Sequence, residues 1–115
     1  MNIRIVKDKI SKDELQKAAT ESFGDMVKIV VDIEKKIMAV GGELHADAGA
    51  VLLENGSSQE NLWGANIYPQ MSGDDMIQYT SLINIRPKIG NRSMEIQDPG
   101  VRDKVKEVIL ALINP

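Results

Sequence analysis

The chain has 115 residues, a formal charge of −3 and no cysteine, which are the size and composition of one ordinary globular domain without disulfides, thiolate metal sites or a thiol nucleophile. The 17 acidic and 14 basic residues are spread along the chain without a basic tail, so nucleic-acid binding is disfavoured. No apolar run approaches the roughly 20 residues of a membrane span, and charged residues interrupt the apolar N-terminus, so neither membrane insertion nor export is expected.

The first predicted elements are a short strand and a helix. The strand covers residues 3–6, where Ile3 and Ile5 alternate with their neighbours. Ser11 followed by Glu14 is a capping box, and apolar residues at helical spacing continue from there to Gly24. The pattern therefore predicts a helix that begins after Ser11 and ends at Gly24.

Two strands and a second helix follow. Residues 26–33 alternate Val and Ile with polar residues, and residues 37–44 form the antiparallel partner across a polar turn. The adjacent pair Gly41 and Gly42 weakens the second of these strands and indicates a bulge, or a place where another backbone or a ligand comes close. Residues 46–55 have helical spacing with a glycine just beyond the end, which predicts the second helix.

The last part of the chain contains two more predicted strands and the third helix. The strands cover residues 62–68 and 76–86, and each is followed by a proline, which cannot donate to a central ladder. Residues 87–97 are the longest irregular segment. Asp98 followed by Pro99 is the start signal of a helix that continues to the C-terminus.

This order, β-α-β-β-α-β-β-α, predicts an α+β fold: a mostly antiparallel five-stranded sheet with three helices packed on it, all on one face. No composition break, linker or internal repeat divides the sequence. We therefore expect residues 1–115 to form a single domain.

One candidate site surrounds the only histidine. Glu43, His45 and Asp47 alternate along the chain, so an extended backbone would direct all three to one side, with Asp32 on the neighbouring strand. Such a set would suit Mg²⁺, Mn²⁺ or Ca²⁺ better than a hydrolytic zinc ion, which usually has more histidine ligands. The structural alternative is that Asp47 caps the helix, Glu43 is solvated and His45 bonds a backbone group.

A second candidate site is the basic loop after the predicted strand 76–86. Arg86, Asn91, Arg92 and Ser93 offer guanidinium, amide and hydroxyl donors that match a phosphate or a carboxylate, although no phosphate-loop or dinucleotide fingerprint is present. The structural alternative is that Arg86 and Arg92 form ion pairs that brace the loop.

Polar and aromatic residues within predicted strands add further candidates. Asn66 and Asn84 interrupt strand-like segments and form a polar patch if helices leave their face uncovered. Trp63 and Tyr68 lie on opposite faces of one strand, where each can pack in the core or anchor an interface.

The segments Gly-Gly-Glu-Leu-His-Ala-Asp at 41–47 and Gly-Asn-Arg-Ser at 90–93 carry a resemblance. The chain resembles a group of small prokaryotic proteins known only as a domain of unknown function, with a similarity that extends over nearly the whole chain. The resemblance implies a cytoplasmic protein. It supplies no established activity, so no catalytic residue or cofactor is carried over.

Three functional hypotheses follow. The leading one is a binding or interaction module, in which Arg86, Asn91, Arg92, Ser93 and His45 hold an anionic small molecule or an acidic group of a protein partner. The competing one is a metal-dependent enzyme that uses Glu43, His45 and Asp47. The third is a subunit that forms a homodimer through the less apolar face or an edge strand of the sheet.

Overall fold

A computed structural model describes residues 2–114. Three α-helices, α1 (Lys12–Glu21), α2 (His45–Glu54) and α3 (Pro99–Leu112), accompany seven strands. The strands are β1 (Arg4–Val6), β2 (Ile10–Ser11), β3 (Val27–Asp32), β4 (Ile37–Val40), β5 (Leu62–Ile67), β6 (Ile77–Gln78) and β7 (Ile113–Asn114). No helix within residues 2–114 combines the length and the apolar character needed to cross a bilayer.

The main sheet has the order β1-β4-β3-β5-β6, and every neighbouring pair is antiparallel. The predicted α+β fold with a five-stranded antiparallel sheet and three helices is therefore confirmed. Two strands were not predicted: β2 and β7 have two residues each and pair in parallel, joining the start of α1 to the end of α3.

The prediction that all helices lie on one face of the sheet is wrong. Alternate residues of β3 enter two separate apolar clusters: Val27, Ile29 and Val31 pack with α1 and α3, whereas Val30 packs with α2. Because β3 and β5 are central and buried on both sides, the sheet needs a cover on each face. α2 provides the second cover, together with the segment after β6.

Local signals place α1 and α3 correctly. Ser11 caps α1, since its Oγ accepts from the Glu14 amide at 3.1 Å and its own amide donates to Glu14 Oε1 at 3.2 Å. Asp98 caps α3 through its Oδ1, which accepts from Gly100, and Pro99 occupies the first helical position. α2 begins at His45, and its cap residue Leu44 provides no side-chain hydrogen bond.

The predicted long strand 76–86 is wrong beyond Gln78. There the chain leaves the sheet edge and forms a 3₁₀ turn at Leu82–Asn84 that packs over β5. The Asn84 side chain continues the pairing in place of a strand: its Oδ1 accepts from the Gly64 amide at 2.8 Å and its Nδ2 donates to the Gly64 carbonyl at 2.9 Å. Apolar residues alternate along this segment as they would in a strand. The prediction was wrong because the segment packs against other elements and does not pair with the sheet along its length.

The glycine pair after β4 marks a close backbone approach, as predicted. β4 ends at Val40, and Gly41 and Gly42 both have positive φ angles. A Cβ atom on Gly41 would lie 2.5 Å from the carbonyl oxygen of Asn2. The chain can turn from β4 into α2 at this point only because these side chains are missing.

Candidate functional site

The structure separates the predicted metal ligands. Glu43 and Asp47 are exposed and line a shallow depression with Ile3 and Gly42, whereas His45 lines a different cleft. Asp32 is fully buried, and its carboxylate accepts hydrogen bonds from the turn that follows β3 and from Ser57 Oγ at 2.6 Å. Within residues 2–114, no three His, Asp or Glu side chains are grouped as metal ligands. The metal-dependent enzyme stays a prediction that these contacts do not support.

Arg86, which belongs to the predicted anion patch, donates its side-chain hydrogen bonds to backbone carbonyls. Its Nε donates to Ile83 at 3.1 Å, its Nη1 donates to Gln59 at 3.2 Å, and its Nη2 donates to Leu62. The guanidinium also lies 4.4 Å from the centre of the Trp63 ring. These contacts brace the segment before β5, as the structural alternative proposed, but they are made to carbonyls and not to carboxylates.

The rest of the predicted patch is a braced loop. Asn91 is buried, and its Nδ2 reaches the carbonyls of Asn84, Ser93 and Glu95 at 2.7 to 2.9 Å. Ser93 Oγ accepts from the Glu95 amide, and Arg92 is exposed. Arg92 and His45 line no common cleft, so an anion site that uses all five predicted residues stays a prediction without a shared surface to support it.

A cleft of about 280 Å³ opens instead beside the N-terminus of α2, and we call it the α2 cleft. Its floor is the α2 side of β3 and β5, and its walls are the first turn of α2 and the segment after β6. The lining residues are Lys28, Leu44, His45, Ala46, Asn66, Thr80, Ser81, Leu82, Ile83 and Met94.

The floor of the α2 cleft contains two polar side chains that are more than nine-tenths buried. Asn66 is 6% exposed and His45 is 8% exposed. The Asn66 Nδ2 donates to Gln78 Oε1 at 2.9 Å and to the Thr80 carbonyl at 3.4 Å, which fixes the orientation of the amide. Its Oδ1 is buried and has no hydrogen-bond partner. An unpaired buried acceptor is costly, so a water, an ion or a ligand that donates to it would stabilise this site.

The environment of His45 favours the neutral imidazole. Its Nε2 lies 2.8 Å from the Ala65 carbonyl oxygen, and because a carbonyl only accepts, Nε2 carries the proton and Nδ1 is the acceptor. Burial lowers the pKa of His45 most, and the charge of Lys28 lowers it further. The Ala65 carbonyl and the Asn66 side chain act in the opposite direction, because both accept hydrogen bonds from the imidazolium form.

The rim of the α2 cleft is apolar and exposed. Leu82 is 69% exposed, Leu44 is 56% exposed, and Met94 is also exposed. Isolated apolar side chains on a surface need no explanation, but three around one cleft form a patch of the kind that marks binding sites.

A larger depression of about 480 Å³ lies on the opposite face, where α3 packs. Trp63 lines it and has a buried Nε1 without an acceptor. However, Arg86 covers the Trp63 ring, and the acidic side chains of Glu60 and Asp98 line this depression. This depression also has the apolar residues Ile33, Ile89 and Val101 in its lining. Its two carboxylates make it less suited to an apolar ligand than the α2 cleft, which has no acidic residue in its lining.

The sequence matches one family model, described as a protein of unknown function (DUF5674), over residues 4–112. The chain belongs to the DUF5674 family. The match confirms the resemblance to a domain of unknown function over nearly the whole chain. Comparisons with curated proteins and with solved structures gave no match. All residues of the α2 cleft lie within the part of the chain that the DUF5674 model covers.

Sequence reasoning identified part of this DUF5674 cleft. His45 and Asn66 were both recognised as unusual polar positions, but they were assigned to different sites. Lys28, Leu82 and Met94 were missed, because each is an ordinary residue in its local pattern. One signal was available: Leu44 stands where a helix usually has a capping Ser, Thr, Asp or Asn, so the start of α2 is left open.

Proposed function

We propose that this protein is a binding module that holds a small, largely apolar molecule in the α2 cleft. The observation that carries the proposal is the union, in one cleft, of an exposed apolar rim and two deeply buried polar side chains, one of them with an unpartnered oxygen. Ligand sites combine apolar walls with a few placed polar groups in this way. The volume of about 280 Å³ suits a metabolite and not a large cofactor.

The contacts of His45 favour binding over a catalytic role. Its Nε2–H is used by the Ala65 carbonyl of β5, so the ring is held by the sheet and Nδ1 is the ring nitrogen that the sheet leaves free. Its burial keeps the neutral form, which accepts a hydrogen bond at Nδ1. A fixed, buried polar group in an apolar cleft provides orientation and specificity.

The test is a substitution that fills the cleft without entering the core. Ala46 is exposed and lines the α2 cleft, whereas Ala50, one turn further along the same exposed side of α2, does not line it. We expect a panel of short aliphatic acids, amides, amines and alcohols to contain ligands that raise the melting temperature of the wild type and of Ala50→Trp, but not of Ala46→Trp. At ten times its Kd, a ligand adds about 1.4 kcal/mol, or roughly 5 °C for a domain of this size.

Two results would contradict the proposal. If ligands shift Ala46→Trp as strongly as Ala50→Trp, binding occurs elsewhere on the molecule. If no ligand shifts the wild type, and Ala46→Trp instead changes a dimeric mass in light scattering, the apolar rim is a contact between two copies and the homodimer hypothesis replaces this one.

A further inference from the structure

One side chain with a permanent positive charge lines the α2 cleft. Lys28 of β3 is half-buried, and its Nζ lies 5.1 Å from the centre of the Phe23 ring, which holds the ammonium group by a cation–π contact. Within residues 2–114 the ion pairs are Arg4–Glu14 and Lys106–Asp74, so no described carboxylate neutralises Lys28. Apart from His45, no other residue that lines the cleft can be charged.

The N-terminus of α2 makes a second positive contribution, which the carboxylate of Asp47 in its first turn partly offsets. α2 is ten residues long, and Leu44 at its cap gives the first-turn amides no side-chain acceptor. Leu44, His45 and Ala46 line the cleft, so the end of the helix that carries a partial positive charge of about half a unit faces the same space as Lys28. Carboxylates and phosphates bind at such helix ends.

The unpartnered oxygen of Asn66 is an independent observation in the same cleft. In the neutral state of His45 the buried Oδ1 of Asn66 has no partner, whereas a hydrogen bond with the Asn66 side chain favours the imidazolium form and raises the pKa of His45. Protonation of His45 lets the imidazolium donate to the Asn66 side chain while Nε2–H keeps the Ala65 carbonyl. The free protein resists this proton because of burial and Lys28.

A bound anion favours the protonated form of His45. A carboxylate beside Lys28 neutralises the charge that opposes the imidazolium and adds its own attraction. The groups around His45 are few: Lys28 from β3, the Ala65 carbonyl and Asn66 from β5, and residues without ionisable groups from the segment after β6. Close to His45 in the chain, Glu43 precedes α2 and Asp47 lies in its first turn; both are exposed and line the separate depression beside Ile3.

We infer that the ligand of the α2 cleft is a small apolar monocarboxylate, that its carboxylate lies between Lys28 and the first turn of α2, and that the protein takes up a proton at His45 when it binds. The inference rests on the proposed function and names the ligand class. Leu44, Leu82, Ile83 and Met94 receive the hydrocarbon part. The overall step is protein plus carboxylate plus H⁺ giving the complex, with the proton placed between Nδ1 of His45 and Oδ1 of Asn66.

Calorimetry with sodium hexanoate tests this inference. Hexanamide and hexan-1-ol serve as neutral probes, and sodium acetate serves as a carboxylate without the hydrocarbon chain. We expect hexanoate to bind at least about tenfold more tightly than hexanamide, and each methylene between acetate and hexanoate to contribute at most about fourfold. Lys28→Met should remove the preference for hexanoate, and Lys28→Arg should restore it.

Proton uptake is measured by repeating the titration near pH 6 in buffers of different ionisation enthalpy. The dependence of the binding heat on the buffer gives the number of protons taken up, which we expect to approach one in the wild type and to vanish in His45→Gln. Asn66→Ala removes the acceptor for the Nδ1 proton, so uptake should fall there as well.

The outcomes separate this inference from the proposed function. If hexanamide or hexan-1-ol binds as tightly as hexanoate, and Ala46→Trp blocks all three, the cleft binds ligands but the carboxylate class is wrong. If hexanoate binds without a buffer-dependent heat, the proton step is wrong. If no probe binds and the wider panel shows no difference between Ala46→Trp and Ala50→Trp, both the inference and the proposed function are overturned.

Discussion

His45 connects the protonation of a single side chain to the stability of the protein. Its imidazole is buried, which lowers its pKa, so the folded state holds a proton there less readily than the unfolded chain does. The stability that depends on neutral His45 is therefore fully present above the ordinary histidine pKa of about 6.5. It is lost as the pH falls from there through the lowered pKa of the folded state.

We expect the melting temperature of the wild type to fall more steeply below about pH 6.5 than that of His45→Gln. Glutamine can still donate to the Ala65 carbonyl but has no proton to gain, so it serves as the matched control for the hydrogen bond. Thermal unfolding between about pH 8 and pH 5 measures the difference between the two curves. Parallel curves would show that His45 titrates equally in the folded and unfolded states.

The path of the chain after β6 depends on a close contact at Gly64. A Cβ atom on Gly64 would lie 2.5 Å from the Cβ of Ser81. The Asn84 side chain bonds both the amide and the carbonyl of the same glycine. The segment that forms one wall of the α2 cleft can therefore rest on β5 only where a side chain is missing.

Gly64→Ala should destabilise the protein by about 1–3 kcal/mol, because the added methyl group must push the Ser81 segment away from the sheet. Gly49→Ala is the control: Gly49 lies within α2 and a Cβ there meets no atom within 4 Å, so the change should stabilise the helix by roughly 0.5–1 kcal/mol. Urea unfolding of both variants gives the free energies. Equal effects in the two variants would show that the contact at Ser81 is not tight in solution.

At the level of elements, sequence reasoning succeeded where the signal is local. The Ser11 capping box and the Asp98–Pro99 start define α1 and α3, and the alternation in β3 predicts its two faces. It failed for the segment after Gln78, since the side chain of Asn84 takes over the pairing of a strand and no local pattern encodes that contact. The α2 cleft could not be predicted from the sequence for the same reason: Lys28 and Asn66 are neighbours only through the register of β3 with β5.

At the scale of the whole molecule, the parallel pair of β2 and β7 joins the two ends of the fold. Ile10 and Ile113, more than 100 residues apart in the chain, are opposite each other in this pair and are both buried. Lys9 Nζ adds a hydrogen bond to the Ala111 carbonyl at 2.7 Å. Contacts between such distant residues slow folding, because the loop entropy is lost before the contact is formed.

Ile113→Ala should reduce the free energy of unfolding by about 2–4 kcal/mol, whereas Asn114→Ala, at the exposed next position, should change it by less than about 0.5 kcal/mol. Urea unfolding measures both values. A small effect of Ile113→Ala would mean that the closing pair contributes little and that the main sheet is stable without it.

The Asn84 amide also affects how copies of this protein meet in solution. An outer strand normally presents free amides and carbonyls on which a strand from another molecule can add, and this is a common origin of edge-to-edge aggregation. β6 covers only the last two residues of β5, so Gly64 would offer such an opening if Asn84 did not occupy both of its backbone groups. Strand addition there would have to displace Asn84, which also donates to the Met94 carbonyl at 3.1 Å. The side-chain amide of Asn84 thus prevents a strand of another molecule from pairing with this part of the sheet edge.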